Sequence, residues 1–167
     1  MRTAVYAGSF DPLTKGYLWV IEYGSALFDR LIVCLGNNPE KRYTFSESER
    51  ISMIESSCIH LSNVSVYPLG KDFLVNFSEK IGAKWLLRGI RNENDYKYEV
   101  DMRDENNAIN PAINTTLVLP PLELRRVSSS FVKSLVGPTG WKEIVEKHLP
   151  PEVHKKFIGK YSDKEGL

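Results

Sequence analysis

Apolar and polar positions along the chain follow two periods, one typical of buried strands and one typical of amphipathic helices. Continuous apolar runs predict five strands, over residues 3–7, 31–35, 64–67, 85–87 and 115–119. Apolar residues at helical spacing predict a helix after the first strand, through Leu18, Ile21 and Phe28. Ser46 followed by Glu49 indicates a capping box that opens the next helix. Further helices are predicted around residues 73–81, 93–107, 129–135, 141–148 and 152–157.

Strands that alternate with helices imply right-handed crossovers and a parallel sheet. We therefore expect an α/β fold, a Rossmann-like parallel five-stranded sheet with helices on both faces, in a single domain over residues 1–158. A polar tail is expected over residues 159–167. In such sheets the ligand lies beyond the carboxyl ends of the strands, where the strand order reverses. Functional residues are therefore sought directly after each strand.

The segment after the first predicted strand, residues 8–17, has the parts of a phosphate site. Gly8 allows close approach of a ligand, Ser9 offers a hydroxyl, and Gly16 lies at the start of a helix whose free N–H groups attract anions. It matches neither the P-loop nor the dinucleotide-binding glycine pattern. The alternative is an ordinary strand-to-helix loop that turns at Asp11 and Pro12.

Cations and hydroxyls follow three other strands. Arg88 and Arg91 flank Gly89 and Ile90 after the fourth strand, where two guanidinium groups suit bidentate phosphate binding. The alternative is a surface ion pair with Glu93 or Asp95. Lys41 and Arg42 follow the second strand and could equally be solvated loop charges. Ser128, Ser129 and Ser130 open a helix, and capping explains only one of the three.

The amino-acid composition limits which classes of binding partner the protein can have. Hydrophobic residues make up 42% of the 167 residues and charged residues 26%, as in an average globular protein. The net charge of +1 provides no field that would attract nucleic acid or a membrane surface, so a local cluster must hold any bound anion. No apolar run is long enough to span a bilayer. Cys34 and Cys58 lie in apolar contexts, which suits buried thiols in the cytoplasm.

Taken together and in this order, these segments resemble the bacterial phosphopantetheine adenylyltransferases of the nucleotidyltransferase superfamily. The family pattern G-[TS]-F-D-P-x-T-x-G-H corresponds to residues 8–17, and the loop lysine of the family corresponds to Lys41. The pattern R-G-[LI]-R falls on residues 88–91, and I-S-S-S falls on residues 127–130. The resemblance extends from residue 3 to residue 157.

The resemblance implies transfer of the adenylyl group of ATP to 4′-phosphopantetheine, giving dephospho-coenzyme A and pyrophosphate. It implies Tyr17, Lys41 and Arg91 as catalytic residues. It places the acceptor against Ser9, Lys41, Leu74, Arg88 and Asn106. It places ATP against Ser9, Phe10, Tyr17, Gly89, Ile90, Arg91, Glu99, Leu124, Val127, Ser128, Ser129 and Ser130. Mg²⁺ is expected to arrive with ATP, without a metal site in the protein, and the family implies a homo-oligomer, a hexamer.

Tyr17 departs from the family pattern. The family has histidine at this position, whereas here the tetrad reads Thr14-Lys15-Gly16-Tyr17. A phenol donates a hydrogen bond but carries no positive charge near neutral pH. Three hypotheses follow: an adenylyltransferase weakened by Tyr17, a nucleotidyltransferase for another phosphate ester, or a repurposed nucleotide-binding relative. His60, His148 and His154 lie in predicted helical segments, far from the loops after the strands.

Overall fold

Five parallel strands form one sheet in the computed structural model, which describes residues 1–162. The strands are β1 Thr3–Gly8, β2 Arg30–Leu35, β3 Val64–Pro68, β4 Trp85–Gly89 and β5 Asn114–Val118. Their order across the sheet is β3-β2-β1-β4-β5, and every neighbouring pair is parallel. The predicted fold class is confirmed.

Helices follow the strands in the predicted order. They are α1 Lys15–Leu27, α2 Glu47–Ser57, α3 Leu74–Lys80, α4 Glu93–Ile109, α5 Ser129–Ser134, α6 Trp141–Glu146 and α7 Pro151–Lys160. The predicted capping box is present at α2, where Ser46 Oγ accepts the Glu49 N–H and the Glu49 carboxylate accepts the Ser46 N–H. Side-chain caps therefore fix where several helices begin, including α5, whose Ser128 hydroxyl accepts the Phe131 N–H.

Alternate strand residues pack against opposite faces of the sheet, as the period of a strand requires. Val5 and Ile32 belong to one apolar cluster, in which Val75 of α3 is buried. Tyr6 and Val33 belong to a larger cluster on the other face, which α1, α2 and the C-terminal helices cover. Both faces are covered, and this explains the continuous apolar runs of β1 and β2.

Some boundaries differ from the sequence pattern. A 3₁₀ turn at Leu122–Leu124 was not predicted. Phe73, the first residue of the helix predicted around residues 73–81, precedes α3 and is 67% exposed. Helix α7 continues to Lys160, beyond the predicted end at residue 157. Residues 163–167 of the predicted polar tail lie outside the described residues. Within residues 1–162, no helix is long and apolar enough to cross a membrane.

The strand order reverses next to β1. The chain passes from β1 through β2 to β3 on one side, then returns to place β4 and β5 on the other side. Gly8 and Gly89 end the two strands that flank this switch point, β1 and β4. A ligand cleft is therefore expected where the loops after these strands diverge.

Candidate active site

A cleft opens at this switch point, and its central cavity has a volume of about 330 Å³. Ser9 from the loop after β1, Lys41 from the loop after β2, and Arg88 at the end of β4 all line it. Arg91 and Tyr17 complete the same wall. The cleft thus collects residues from three segments that the sequence analysis selected independently.

Two further cavities adjoin the central one through shared residues. A cavity of about 240 Å³ shares Arg88 and Glu99 with it and extends to Leu74 and Asn106 between α3 and α4. Another, of about 440 Å³, shares Lys41 and Arg91 and extends to the three serines at the start of α5. The cleft therefore has a basic centre, one arm with apolar walls and one arm rich in hydroxyl groups.

A small pocket of about 20 Å³ lies beneath Tyr17 and Gly89, against Leu124 and Val127. Gly16 allows the close packing here, because a Cβ atom on Gly16 would lie 2.9 Å from the carbonyl oxygen of Val127. The start of α1 and the segment before α5 therefore meet directly under the cleft.

Four of the predicted site residues are buried, namely Phe10, Ile90, Glu99 and Val127, and the first two line none of the cavities described above. Phe10 is fully buried, and its ring packs edge to face between Tyr6 at 5.5 Å and Tyr17 at 5.4 Å. Ile90 is 9% exposed. These positions favour a packing role under the cleft over ligand contact. The remaining predicted residues line the cleft: Ser9, Tyr17, Lys41, Leu74, Arg88, Gly89, Arg91, Glu99, Asn106, Leu124, Val127, Ser128, Ser129 and Ser130.

Arg88 is held by Glu99 in a bidentate ion pair. Its Nε and Nη2 donate to the two carboxylate oxygens at 2.7 and 2.6 Å, and its Nη1 donates to the carbonyl oxygen of Ala7 at 2.8 Å. Burial acts to lower the pKa of Arg88, but the hydrogen bonds and charge of Glu99 raise it. Three of the five guanidinium N–H groups are used, so two remain for an anionic ligand.

Arg91 is paired with Asp95, one helical turn further along the chain. Its Nε donates to Asp95 Oδ2 at 2.9 Å, and its backbone N–H donates to the same oxygen at 3.2 Å. The ion pair considered in the sequence analysis therefore exists, with Asp95, whereas Glu93 pairs with Lys97. Arg91 and Asp95 both still line the cleft.

Asp11 is a site residue that the sequence analysis assigned only to a turn. It is 3% exposed, and its carboxylate accepts the backbone N–H groups of Thr44 and Phe45 at 2.9 Å each. Lys133 of α5 donates to the same carboxylate at 3.0 Å. Asp11 thus joins the loop after β1 to the loop before α2 and to α5. The burial of the charged Asp11 side chain identifies it as a site residue, and a single sequence does not show which residues are buried.

Tyr17 is half-buried in the first turn of α1, where its N–H donates to the Thr14 hydroxyl at 3.4 Å. Its side chain lines the central cavity, the serine-rich arm and the small pocket. Burial raises the pKa of the neighbouring Tyr6 well above its ordinary value, and the proximity of Tyr17 raises it further. Tyr17 therefore lies at the junction of the three cavities.

The described residues contain no group of three His, Cys, Asp or Glu side chains that could hold a metal ion. The acidic residues lining these cavities are all in ion pairs: Asp11 with Lys133, Asp95 with Arg91 and Glu99 with Arg88. A phosphate-bearing ligand and water would supply oxygen ligands to a divalent cation here.

Comparisons with known proteins show which family the chain resembles. The model of the cytidylyltransferase-like family matches residues 5–135. A phosphopantetheine adenylyltransferase of Chromobacterium violaceum is 44% identical over 163 residues, covering 98% of this chain and 99% of that protein. A phosphopantetheine adenylyltransferase of Neisseria meningitidis serogroup C is 42% identical, covering 96% of this chain and 94% of that protein.

A solved structure shows the same fold at low sequence identity. The nicotinic acid mononucleotide adenylyltransferase of Plasmodium falciparum, complexed with NaAD, superposes with a TM-score of 0.71. The alignment covers 96% of this chain and 95% of that one, at 17% identity. This likeness concerns the fold alone.

Proposed function

The chain belongs to the phosphopantetheine adenylyltransferases, and we propose that its cleft transfers the adenylyl group of ATP to the phosphate of 4′-phosphopantetheine. The products are dephospho-coenzyme A and pyrophosphate, so the reaction is a step of coenzyme A biosynthesis. The family follows from relatives at 42–44% identity over nearly the whole chain. The roles given below to individual residues are part of the proposal.

The layout of the cleft is the observation that supports this reaction. An elongated acceptor such as the pantetheine chain suits the arm with apolar walls, between Leu74 and Asn106. A triphosphate suits the opposite arm, where the serines of α5 and Lys133 lie. The basic centre between the arms, with Lys41, Arg88 and Arg91, is then where the two phosphates meet.

The reaction proceeds in line at the α-phosphorus of ATP. An oxygen of the acceptor phosphate forms the new P–O bond, and the bond between the α-phosphorus and the bridging oxygen breaks, so that its electron pair leaves with pyrophosphate. Both reactants are anions, and catalysis consists largely of bringing them together and neutralising their charge. Lys41 and Arg88 hold the acceptor phosphate, and Arg91 holds the triphosphate.

Tyr17 lies where charge accumulates on the leaving pyrophosphate. Its hydroxyl donates one hydrogen bond and supplies no charge, unlike an imidazolium. Removing one donor from comparable sites lowers rates by about 10²–10³-fold, which sets the scale of the weakening expected from this residue. Lys133 lines the serine-rich arm and supplies a cation there, and Arg126 precedes the serines of that arm in the chain.

Three further features belong to the proposal. Mg²⁺ would enter with ATP and would supply charge neutralisation at its phosphates, and the nucleotide would hold it, since the acidic residues lining the cavities are already in ion pairs. The protein acts in the cytoplasm, where buried Cys34 and Cys58 remain reduced. It assembles into a homo-oligomer, a hexamer by family resemblance, which light scattering of the purified protein tests.

The direct test is product formation from ATP and 4′-phosphopantetheine. Mass spectrometry should detect dephospho-coenzyme A, and pyrophosphate should form in equal amount. Dephosphorylated pantetheine is the matched control and should give neither product, because it lacks the attacking phosphate. Transfer only to a different phosphate ester would establish another acceptor. ATP binding by calorimetry without transfer to any acceptor would establish the repurposed binding protein.

A further inference from the structure

Arg50 is a buried cation that the site described above does not use. It lies in α2, is 2% exposed, and is one of the largest fully buried side chains among the described residues. Its Nη1 donates to the carbonyl oxygen of Ser9 at 2.8 Å, and its Nη2 donates to Asn37 Oδ1 at 2.6 Å. The side chain therefore joins the loop after β1 to the loop after β2.

The remaining contacts of Arg50 are also uncharged. Its Nε donates to the Ser46 carbonyl oxygen at 3.4 Å, and its guanidinium lies 4.0 Å from the ring centre of Tyr43. Within residues 1–162 no carboxylate forms an ion pair with it, and Glu47 is reached only through Asn37. Buried arginines ordinarily have an acidic partner, because an unpaired buried charge is costly.

The contacts of Arg50 lie next to the cleft, where its unpaired positive charge can act on a bound anion. Ser9, whose carbonyl oxygen Arg50 binds, lines both the central cavity and the serine-rich arm. Asn37 and Tyr43 belong to the loop that carries Lys41, and Lys41 is exposed and lines the same two cavities. A guanidinium always carries its charge, so it adds positive potential behind a site that binds two anions.

We propose that Arg50 is a positioning residue for adenylyl transfer. It sets the distance between Ser9 and the Lys41 loop, and its charge, not neutralised by any carboxylate, favours the acceptor phosphate between them. The inference rests on the proposed function, since it needs an anionic acceptor at that place. Arg50 lies outside the cleft and acts through Ser9 and the loop of Lys41, both of which line the cleft.

The test compares Arg50→Lys with Met53→Ala. Lysine keeps the charge but cannot bridge both loops, because it lacks the planar fork of arginine. We expect turnover to fall and KM for phosphopantetheine to rise, each by about tenfold, while KM for ATP changes less. Met53 is fully buried in the same helix, one turn further on, and packs in the apolar cluster. Met53→Ala should lower the melting temperature and leave the kinetic constants of the folded enzyme unchanged.

Asn37→Ala provides a second variant should Arg50→Lys fail to fold. Asn37 is exposed, so its truncation removes one link to Arg50 without opening a cavity. It should raise KM for phosphopantetheine in the same direction by a smaller factor. Kinetic constants equal to wild type in both Arg50→Lys and Asn37→Ala would overturn the proposal.

Failure of the proposed function gives a different result. A wild-type protein without transfer activity contradicts that function, whatever Arg50 does. Calorimetry with phosphopantetheine then still tests Arg50: weaker binding by Arg50→Lys, with Met53→Ala equal to wild type, supports the positioning role. Equal binding by all three proteins rejects it.

Discussion

The substitution Glu99→Gln tests whether Glu99 serves Arg88 or ATP. Both carboxylate oxygens of Glu99 accept from Arg88, at 2.6 and 2.7 Å, and the Glu99 side chain is only 8% exposed. Glutamine has nearly the same shape, keeps one oxygen acceptor and loses the charge. The substitution therefore leaves a largely buried guanidinium with the carbonyl oxygen of Ala7 and a neutral amide as partners.

The expected loss of stability follows from burial. Removing one partner of a fully buried ion pair costs about 3–5 kcal/mol. Arg88 is 24% exposed, so solvent screens part of its charge, and we expect about 2–3 kcal/mol. For a chain of this length each kcal/mol lowers the melting temperature by roughly 2–4 °C, so the variant should melt roughly 5–10 °C below wild type.

Ligands then separate the two roles. A ligand that binds both proteins equally, at 100 times its Kd, stabilises each by about 2.7 kcal/mol and leaves the deficit in free energy unchanged. We expect phosphopantetheine to reduce that deficit, because its phosphate replaces the missing negative partner of Arg88. ATP should leave the deficit as it is. Thermal unfolding with and without each ligand measures both effects.

Glu93→Gln is the matched control for this experiment. It is the same chemical change in the same helix, but Glu93 is 79% exposed and pairs with Lys97 at the surface. Surface pairs of this kind contribute about 0.3–0.5 kcal/mol, so its melting temperature should barely change. A Glu99→Gln deficit no larger than that of Glu93→Gln would refute the buried-pair argument. A deficit reduced by ATP alone would assign Glu99 to the nucleotide.

Substitutions at four other residues test further roles, and Arg42→Ala serves as a control for one of them. Lys41→Ala should lower turnover at saturating substrates by at least about tenfold, while the neighbouring Arg42→Ala should not; equal effects would make Lys41 an ordinary loop charge. Arg91→Lys should weaken ATP binding in calorimetry because the bidentate fork is lost, and unchanged affinity would remove Arg91 from the triphosphate site. Tyr17→His should raise the rate of dephospho-coenzyme A formation by about one to three orders of magnitude, and Tyr17→Phe should lower it; a rate unchanged by Tyr17→His would show that Tyr17 does not limit the reaction. Burial, followed by the charges of Lys15 and Lys147, lowers the pKa of His148 in the folded protein. The unfolded chain therefore binds a proton at His148 more readily than the folded chain does. The free energy of unfolding should then fall as the pH drops below about 6.5. The melting temperature of His148→Gln should therefore fall less than that of wild type between roughly pH 7.5 and pH 5.5, and parallel curves would contradict this linkage.

The sequence was sufficient for the central strands β1 and β2 because most of their residues are buried, on both faces of the sheet. Residues 4–7 of β1 and 31–35 of β2 are apolar on both sides of the sheet, which produces the continuous runs that predict parallel strands. The first and last residues of the helices were harder to predict. Phe73 has the right spacing for the face of α3, yet it precedes that helix and is exposed, because spacing alone does not locate the first helical residue.

The loops after the strands could be located for the same reason, but their internal contacts could not. Parallel strands bring their carboxyl ends to one edge, so Ser9, Lys41 and Arg88 were expected together before the geometry was known. The partners Lys133 of Asp11 and Glu99 of Arg88 come from elements 122 and 11 residues away. No local period links residues at those separations.

Ion pairing explains why the cleft can hold its cations close together before a ligand arrives. Arg88, Arg91 and Lys133 each have a carboxylate partner, which limits their mutual repulsion and fixes their direction. Lys41 differs, because it is exposed on a loop and has no ion pair among the described residues. The paired cations are therefore held in one direction, whereas in the proposed reaction Lys41 follows the acceptor phosphate. Arg50 restrains the base of the loop that carries Lys41, and this explains why a buried, unpaired cation lies behind an exposed cation of the cleft.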